Sequence, residues 1–196
     1  MATSFNLAYN FDRQTELGAR AWHAFFATAG EIADQSKMDP KTKQKTLRLL
    51  SNGMYVLTSR QGSRPAAATV TWVSQASFKP PLIIAAVRRD STLLSCLRES
   101  RVAALHILDR RQKNLAQKFF TRTRASSGPL NGEPYSEGKT SAPILKNIPA
   151  YVECKVIEIR EEHGDHAIVV LEVVDAALHK PVRPLTVADS PWEYGG

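Results

Sequence analysis

Short apolar runs separated by turn residues follow one another along most of the chain after residue 50. Strand-like runs occur at Met54–Ser59, Ala66–Val73, Leu82–Val87, Val102–Leu108, Tyr151–Arg160 and His166–Leu178. The turn residues Gln61–Pro65 separate the first two runs and Glu161–Asp165 separate the last two, so each pair is a predicted hairpin. About six strands, mostly in hairpin order, predict a mainly β, antiparallel small barrel with helical decorations.

Helical spacing is limited to short segments of this β-rich region. Asp90 or Ser91 is expected to cap a helix that ends near Arg98, and a second short helix is predicted over Arg111–Phe120. Residues 121–149 contain several Gly and Pro residues and are expected to form a long irregular surface excursion.

The first 46 residues differ in pattern and are predicted to form an N-terminal helical extension, followed by a domain of residues 47–196. Apolar residues recur at helical spacing over Arg13–Ala29, which indicates an amphipathic helix. Asp39 and Pro40 are typical of a helix start, and the helix that follows is basic. A helical arm packed on the domain is favoured over a nucleic-acid or membrane contact, because no long basic amphipathic repeat is present.

Composition fits one globular domain with an extension. The chain has 196 residues, of which 43% are hydrophobic and 23% charged. No apolar run approaches the roughly 20 residues that span a bilayer, and the first ten residues lack the features of a secretory signal. We therefore expect a cytoplasmic protein without a membrane segment. The net charge of +7 favours anionic partners.

The sequence lacks the usual motifs of covalent and metal catalysis, such as G-x-S-x-G, H-E-x-x-H and the Walker loop. Cys96 and Cys154 are too few for a disulfide framework and are expected to be buried free thiols. His163 and His166 flank a short turn, but no further Cys or His lies near them in sequence to complete a metal site. A polar loop is therefore favoured over a metal site, although a histidine that begins a strand can also point into a site.

Two polar segments could hold a flat heterocycle that carries a phosphate. Residues Thr69–Ser77 place hydroxyl and amide side chains before a double proline, a pattern that a polar-faced edge strand with a stiff turn also explains. The segment Arg88–Thr92 combines arginines, hydroxyls and a predicted helix start, which are the ingredients of a phosphate site. A helix cap with solvated arginines is the alternative for this second segment.

These features occur in an order that resembles a known family. The matching segments are Thr71–Pro81, Arg89–Thr92, Leu105–Leu108, Ala150–Cys154 and Gly164–His166. Together they resemble the flavin reductase-like family with the FMN-binding split-barrel fold. The segment from Trp72 to Pro81 is especially similar to the C-terminal flavin reductase domain of cyanobacterial flavodiiron proteins. The resemblance covers roughly residues 47–180.

The resemblance implies a homodimer that binds FMN, or FAD, near the subunit interface and accepts hydride from NADH or NADPH. It implies cofactor contacts by Thr69, Val70, Thr71, Ser74, Gln75, Ser77, Arg89, Ser91, Thr92 and His106. The first three would line the flavin ring, and the serines, Gln75, Arg89 and Thr92 would hold the ribityl chain and phosphate. His106 stands where relatives often have Asn at the ring. The catalytic histidine beside flavin and nicotinamide would be His166, with a turn histidine facing solvent as the alternative.

The leading hypothesis is an NAD(P)H-dependent flavin reductase that passes electrons to oxygen or to a partner. A flavin-binding electron carrier without its own nicotinamide site is the main alternative. A nucleic-acid binder on a small barrel is disfavoured, because Trp72 and Phe78 are isolated and not interleaved along a basic strand. FMN and FAD, and NADH and NADPH, fit the sequence equally well.

Overall fold

The computed structural model describes residues 38–123 and 128–192. The helix predicted over Arg13–Ala29 lies outside these residues. The helices are α1 (Pro40–Leu47), α2 (Thr92–Ser100) and α3 (Lys113–Lys118). The strands are β1 (Tyr55–Gln61), β2 (Arg64–Val70), β3 (Val73–Phe78), β4 (Pro81–Arg88), β5 (Val102–Ile107), β6 (Tyr135–Glu137), β7 (Pro143–Leu145), β8 (Ala150–Arg160) and β9 (His166–Leu178).

Seven of these strands form one antiparallel sheet in the order β2-β1-β5-β8-β9-β4-β3. β6 and β7 form a separate two-stranded hairpin. The predicted hairpins β1–β2 and β8–β9 are both present, and β9 begins and ends at the predicted residues. The prediction of a mainly antiparallel β fold with few helices is therefore confirmed.

The seven-stranded sheet curls around α2, and the core forms between this helix and the inner face of the sheet. α2 contacts β1, β2, β4 and β8, and β2 also contacts β4 although they are far apart in sheet order. Leu93, Leu94 and Leu97 of α2 are buried against Leu57 of β1 and Leu171 of β9. This burial of apolar surface is the main stabilising contribution to the curled arrangement.

A second apolar cluster packs around α3. Leu115 and Phe119 are buried there with Met54, Leu130 and Leu185. Leu185 is tied into the sheet, because its carbonyl accepts from Met54 N–H and its N–H donates to Leu108 O, each at 2.8 Å. The segment after β9 is thereby held beside the ends of β1 and β5.

The two predicted helix starts have the expected caps. The Ser91 hydroxyl accepts from the N–H of Leu94 at 3.1 Å, so Ser91 is the N-cap of α2. Asp39 Oδ2 accepts from the N–H of Thr42 at 2.7 Å at the start of α1. α1 belongs to a different compact unit from the residues that begin at Arg48. The division into an extension of residues 1–46 and a domain of residues 47–196 stays a prediction.

The segment after Val70 differs from the prediction. The strand expected over Ala66–Val73 ends at Val70, and a new strand, β3, begins at Val73 after a two-residue turn. β3 pairs only with β4 and forms one edge of the sheet. Ser74, Gln75 and Ser77 therefore lie on an edge strand, whereas Thr69 lies in β2 and Thr71 lies between β2 and β3. The irregular excursion over residues 121–149 likewise contains the short hairpin β6–β7.

Both cysteines are buried free thiols, as predicted. Loss of solvent raises the pKa of Cys96, and it raises the pKa of Cys154 to about 12. Since only the thiolate is reactive, neither residue is suited to thiol chemistry. In the part of the chain that the structure describes, no helix is long and apolar enough to cross a bilayer.

Candidate functional site

A cleft of about 600 Å³ opens where the ends of several elements meet. It lies between the second half of β2, the last residues of β4, the start of α2, the segment after α3 and the first residue of β9. The lining residues include Thr69, Val70, Thr71, Trp72, Arg88, Ser91, Thr92, Phe120, Arg122, His166 and Trp192. A cleft of this size, with an apolar body and a few polar groups, is typical of a small-molecule site.

Backbone hydrogen bonds bring the walls of the cleft together. Arg88, the last residue of β4, is the register partner of His166, the first residue of β9. The N–H of Ala86 donates to Trp72 O at 2.9 Å, which places the turn before β3 beside β4. The N–H of Thr69 donates to Phe119 O at 3.1 Å, which places the exit of α3 beside β2.

One end of the cleft carries positive charge. The Ser91 hydroxyl caps α2 and donates to Arg88 O at 2.7 Å, so the start of this helix and its positive dipole face the cleft. Arg88 pairs with Asp90 at 2.7 and 3.0 Å. This hydrogen bond and then the charges of Arg88 and Arg122 lower the pKa of the Asp90 carboxyl. Two guanidinium groups thus oppose one carboxylate, an arrangement suited to an anion.

Thr71 supplies the clearest sign that something binds here. Its Oγ1 is the one buried side-chain polar atom in residues 38–123 and 128–192 that lacks a hydrogen-bond partner. Thr71 is 5% exposed and lines the cleft. An unpaired buried polar group costs about 1–3 kcal/mol, which a ligand with a nitrogen or oxygen atom at this point would recover. Thr69 differs, because its hydroxyl already donates to Ala116 O at 2.7 Å.

The side chain of His166 lines the cleft, whereas that of its neighbour Asp165 is exposed to solvent. Its side chain is 14% exposed, whereas that of Asp165 is 93% exposed. Its ring packs on the indole of Trp72, with centroids 4.7 Å apart and planes at 55°. The imidazole of His166 thus lines the cleft, and the carboxylate of Asp165 lies at the surface. The catalytic role of His166 stays a prediction.

Six of the predicted site residues line this cleft and five do not. Those at the cleft are Thr69, Val70, Thr71, Ser91, Thr92 and His166. Those outside its lining are Ser74, Gln75, Ser77, Arg89 and His106.

Strand geometry explains why the middle of the predicted set is displaced. Ser74 and Gln75 are exposed on the edge strand β3, beyond the turn that leads away from the cleft. Ser77 lies further along β3, opposite Leu82. Arg89 follows β4, and its Nη1 donates to Gly164 O at 3.1 Å. These four residues therefore lie outside the lining of the cleft in one protomer, and their predicted contacts with a flavin near the subunit interface stay a prediction.

His106 is a buried structural residue in this fold, which corrects its predicted place at the flavin ring. It is fully buried, and its Nδ1 lies 2.9 Å from Val56 O while its Nε2 accepts from the N–H of Leu145 at 3.1 Å. The ring therefore joins β1, β5 and β7. Desolvation lowers the pKa of His106 to about 4.

Sequence reasoning missed the wall that follows α3. Thr123 Oγ1 accepts from Ala67 N–H at 2.7 Å and donates to Ala67 O at 2.8 Å, which fastens this segment to the edge of β2. Arg122 is thereby brought into the cleft beside Phe120. The rings of Phe120 and Trp192 meet edge to face with centroids 4.8 Å apart. The local sequence signal for this wall was Arg122, which stands between Thr121 and Thr123 directly after a predicted helix.

Metal ligation finds no support in the same region. Among the residues whose placement is described, no three His, Cys, Asp or Glu side chains are grouped so that they could hold a metal ion.

Comparison with known families identifies the domain that carries this cleft. The family model of the Flavin reductase like domain matches residues 47–193. The chain belongs to this family. The resemblance seen in the sequence is thereby confirmed, and the flavin reductase like domain accounts for most of the sheet and for the cleft.

Relatives of this flavin reductase like domain occur within longer proteins. Diflavin flavoprotein A 1 of Synechocystis sp. strain PCC 6803 is 31% identical over 138 residues, which cover 70% of this chain and 24% of that protein. The chain thus spans about a quarter of the length of this curated relative.

Solved structures share the fold of the domain. The NADH:FAD oxidoreductase of Streptomyces globisporus C-1027 has a TM-score of 0.66 and 22% identity, covering 82% of this chain and 97% of that protein. An FMN-binding protein from Thermus thermophilus has a TM-score of 0.59 and 22% identity, covering 66% of this chain and 71% of that chain. At these identities the likeness establishes a common fold.

Proposed function

We propose that the protein binds FMN in the cleft and reduces it with hydride from NADH or NADPH. The observation that carries this proposal is the buried, unpaired hydroxyl of Thr71 in a cleft whose other end is cationic. FMN combines a flat ring rich in hydrogen-bonding atoms with a terminal phosphate. The ring of FMN therefore suits the part of the cleft that contains Thr71, and the phosphate suits the cationic end.

The residues present fit the group. Thr71 and the backbone of Val70 would meet the polar edge of the ring, and the phosphate would lie near Ser91, Thr92 and Arg122. FAD has the same ring and first phosphate, so these contacts would also hold it. Bound flavin supplies the capacity to accept hydride, and the protein supplies binding, orientation and electrostatics.

His166 and Trp72 would form the wall where the nicotinamide meets the flavin. The imidazole is largely sheltered and is held against the indole, so its position is fixed before a ligand enters. A preorganised donor or acceptor at this place orients an amide group and stabilises charge that develops during hydride transfer. Hydride transfer from carbon requires no proton abstraction from the donor, so His166 need not act as a general base.

The functions of the fold relatives support the proposal, since they include FMN binding and NADH:FAD oxidoreduction. Reduced flavin would pass its electrons to oxygen or to a partner protein. A flavin-binding electron carrier that receives electrons from another protein is the second candidate, favoured by the relatives that carry this domain within a longer diflavin protein.

An anaerobic titration tests the proposal and separates the two candidates. The purified protein is expected to bind FMN with micromolar or tighter affinity, measured by flavin fluorescence. Addition of NADH or NADPH without oxygen is then expected to bleach the flavin absorbance. Binding without bleaching by either nucleotide would favour the electron carrier, and no binding of FMN or FAD would contradict both.

The phosphate contact can be tested by comparing FMN with riboflavin, which lacks the phosphate. Arg122→Ala is expected to weaken FMN about tenfold, at the lower end for a charge-assisted hydrogen bond because Arg122 is exposed, and to leave riboflavin binding unchanged. Arg64→Ala is a matched control, since Arg64 is an exposed arginine of β2 outside the cleft lining. Equal losses for the two ligands would show that Arg122 does not contact the phosphate.

We further propose that the outer face of β4 and β9 pairs with a second copy of the chain. Along β9 the odd-numbered Val169 and Leu171 are buried, whereas Ile168, Val174 and Leu178 on the other face are exposed. Ile84 of β4 is exposed on the same face. Exposed apolar side chains gathered on one sheet face are typical of an interface.

This face also borders the cleft. Ala86 lines the cleft and is the register partner of Ile168. A second copy seated on the face would therefore cover the nearby edge of the cleft and any ligand that projects from it.

Light scattering at micromolar concentration is expected to report a homodimer. Ile168→Lys should convert it to a monomer, because two-fold symmetry brings two buried lysines into one interface. Leu49→Lys, which changes an exposed leucine outside this face, should leave the dimer intact. A monomeric parent protein with flavin bound would contradict the proposal.

A further inference from the structure

The turn that precedes His166 is held by a residue from another loop. Arg89 lies between β4 and α2, and its backbone N–H donates to Asp165 O at 3.0 Å. Its Nη1 donates to Gly164 O at 3.1 Å. Gly164 has a φ of +73°, a conformation that glycine adopts without the steric cost of a side chain. Arg89 thus binds the carbonyl groups of both Gly164 and Asp165.

Asp165 acts on the imidazole itself. Its Oδ1 lies 2.8 Å from His166 Nδ1. The hydrogen bond to His166 is the largest of the effects that lower the pKa of the Asp165 carboxyl, so this group is an ionised acceptor near neutral pH. A carboxylate can only accept, so a neutral imidazole paired with it carries its proton on Nδ1. Nε2 is then left with its lone pair.

We propose that Asp165 and Arg89 are positioning residues that present His166 to the cleft as the Nδ1–H tautomer. In this tautomer Nε2 is the nitrogen available to a ligand, and its lone pair suits an N–H donor such as the carboxamide of a nicotinamide. The indole of Trp72 also packs on the imidazole and limits its rotation, with the two ring centroids 4.7 Å apart. The identity of this ligand rests on the proposed function, whereas the tautomer and the braced turn do not.

The same contacts give Arg89 a role different from the phosphate contact that the sequence suggests. Its guanidinium is directed at the β8–β9 turn and lies outside the cleft lining. Arg89→Ala is therefore expected to leave the ratio of FMN to riboflavin affinity unchanged while it loosens the turn that carries His166.

Nitrogen-15 NMR of the imidazole rings tests the tautomer without any need for activity. In the labelled full-length protein at pH 8, the His166 signals, assigned by their loss in His166→Ala, are expected to show the Nδ1–H form. Asp165→Ala should shift them toward the Nε2–H form, and Asp165→Asn should preserve the parent pattern because its amide oxygen still accepts. An Nε2–H tautomer in the parent protein, or an unchanged pattern in Asp165→Ala, overturns the proposal.

Kinetics then test the consequence for the reaction. Asp165→Ala and Arg89→Ala are each expected to slow anaerobic flavin reduction about tenfold, with FMN affinity changed less than about twofold. Asp165→Asn should restore most of the rate. Arg60→Ala is the control for Arg89, since Arg60 also donates to a turn carbonyl, that of Gly62, away from the cleft. Parent rates in both alanine variants would overturn the positioning role, and a parent protein inactive with both nucleotides would refute the proposed function while the NMR result stands.

Discussion

Replacing His166 with alanine is expected to slow the anaerobic reduction of bound FMN by about tenfold to a thousandfold with whichever nucleotide the parent protein uses. The imidazole lines the cleft, is only 14% exposed and is held between Trp72 and Asp165. A group held in this way loses little freedom when a ligand binds. Its contribution should therefore appear mainly in the rate of hydride transfer and only weakly in flavin affinity.

Stopped-flow absorbance at the flavin band measures this rate, and fluorescence titration measures the affinity. His163→Ala is a matched control, because His163 is an exposed histidine three residues away that lies outside the cleft lining. It should reduce flavin at the parent rate. If the His166→Ala variant is as fast as the parent with both nucleotides, His166 has only a structural role in the turn. If the variant instead loses much of its FMN affinity, His166 is a cofactor ligand.

The sequence predicted those elements of the fold that depend on residues close together in the chain, such as β9 and the start of α2. The alternation along β9 places one set of side chains in the core and the other outside, and the strand has the predicted bounds. Ser91 caps α2 because its short side chain reaches the N–H of Leu94, a contact within one turn of chain. Such features depend on neighbours in sequence and can be read without the fold.

The cleft was only half predictable because its remaining wall depends on contacts between distant residues. Arg122 enters the site because Thr123 is fastened to Ala67, more than fifty residues earlier in the chain. The sequence did not predict β3 as a separate strand for a different reason. Its Ser and Gln residues are exposed and show little apolar alternation, because an edge strand buries few side chains. The resemblance to the family also implied that His106 contacts the flavin ring, but here the side chain of His106 is fully buried between strands.

His106 is expected to make the stability of the protein depend on pH in a window above that of the carboxylates. Desolvation, opposed by the hydrogen bond to Val56 O, lowers its pKa from 6.5 to about 4 in the folded state. Between these values the unfolded chain binds a proton that the folded protein does not. Stability should therefore fall as the pH falls from 6.5 to about 4, by about 1.4 kcal/mol per pH unit and about 3 kcal/mol in all.

Urea unfolding at pH 7.5 and pH 5.0, at one protein concentration, measures this effect. The parent protein should lose about 2 kcal/mol between the two values through His106. His106→Asn should be less stable than the parent at pH 7.5, because Val56 O and Leu145 N–H lose at least one of their partners, at a cost of about 1–3 kcal/mol for each group left unpaired. It should, however, lack this part of the pH dependence, since an amide does not titrate.

The window distinguishes His106 from other titrating groups. Hydrogen bonds and neighbouring cations lower the pKa values of the carboxyl groups of Asp90, Asp165, Asp189, Glu161 and Glu162, so their contributions change mainly below the interval from pH 7.5 to 5.0. His163→Asn serves as the control, because it removes an exposed histidine and should keep the parent slope. A His106→Asn variant that loses as much stability as the parent between pH 7.5 and 5.0 would show that the buried imidazole takes up its proton without unfolding, and that the β1–β5–β7 junction tolerates the charge.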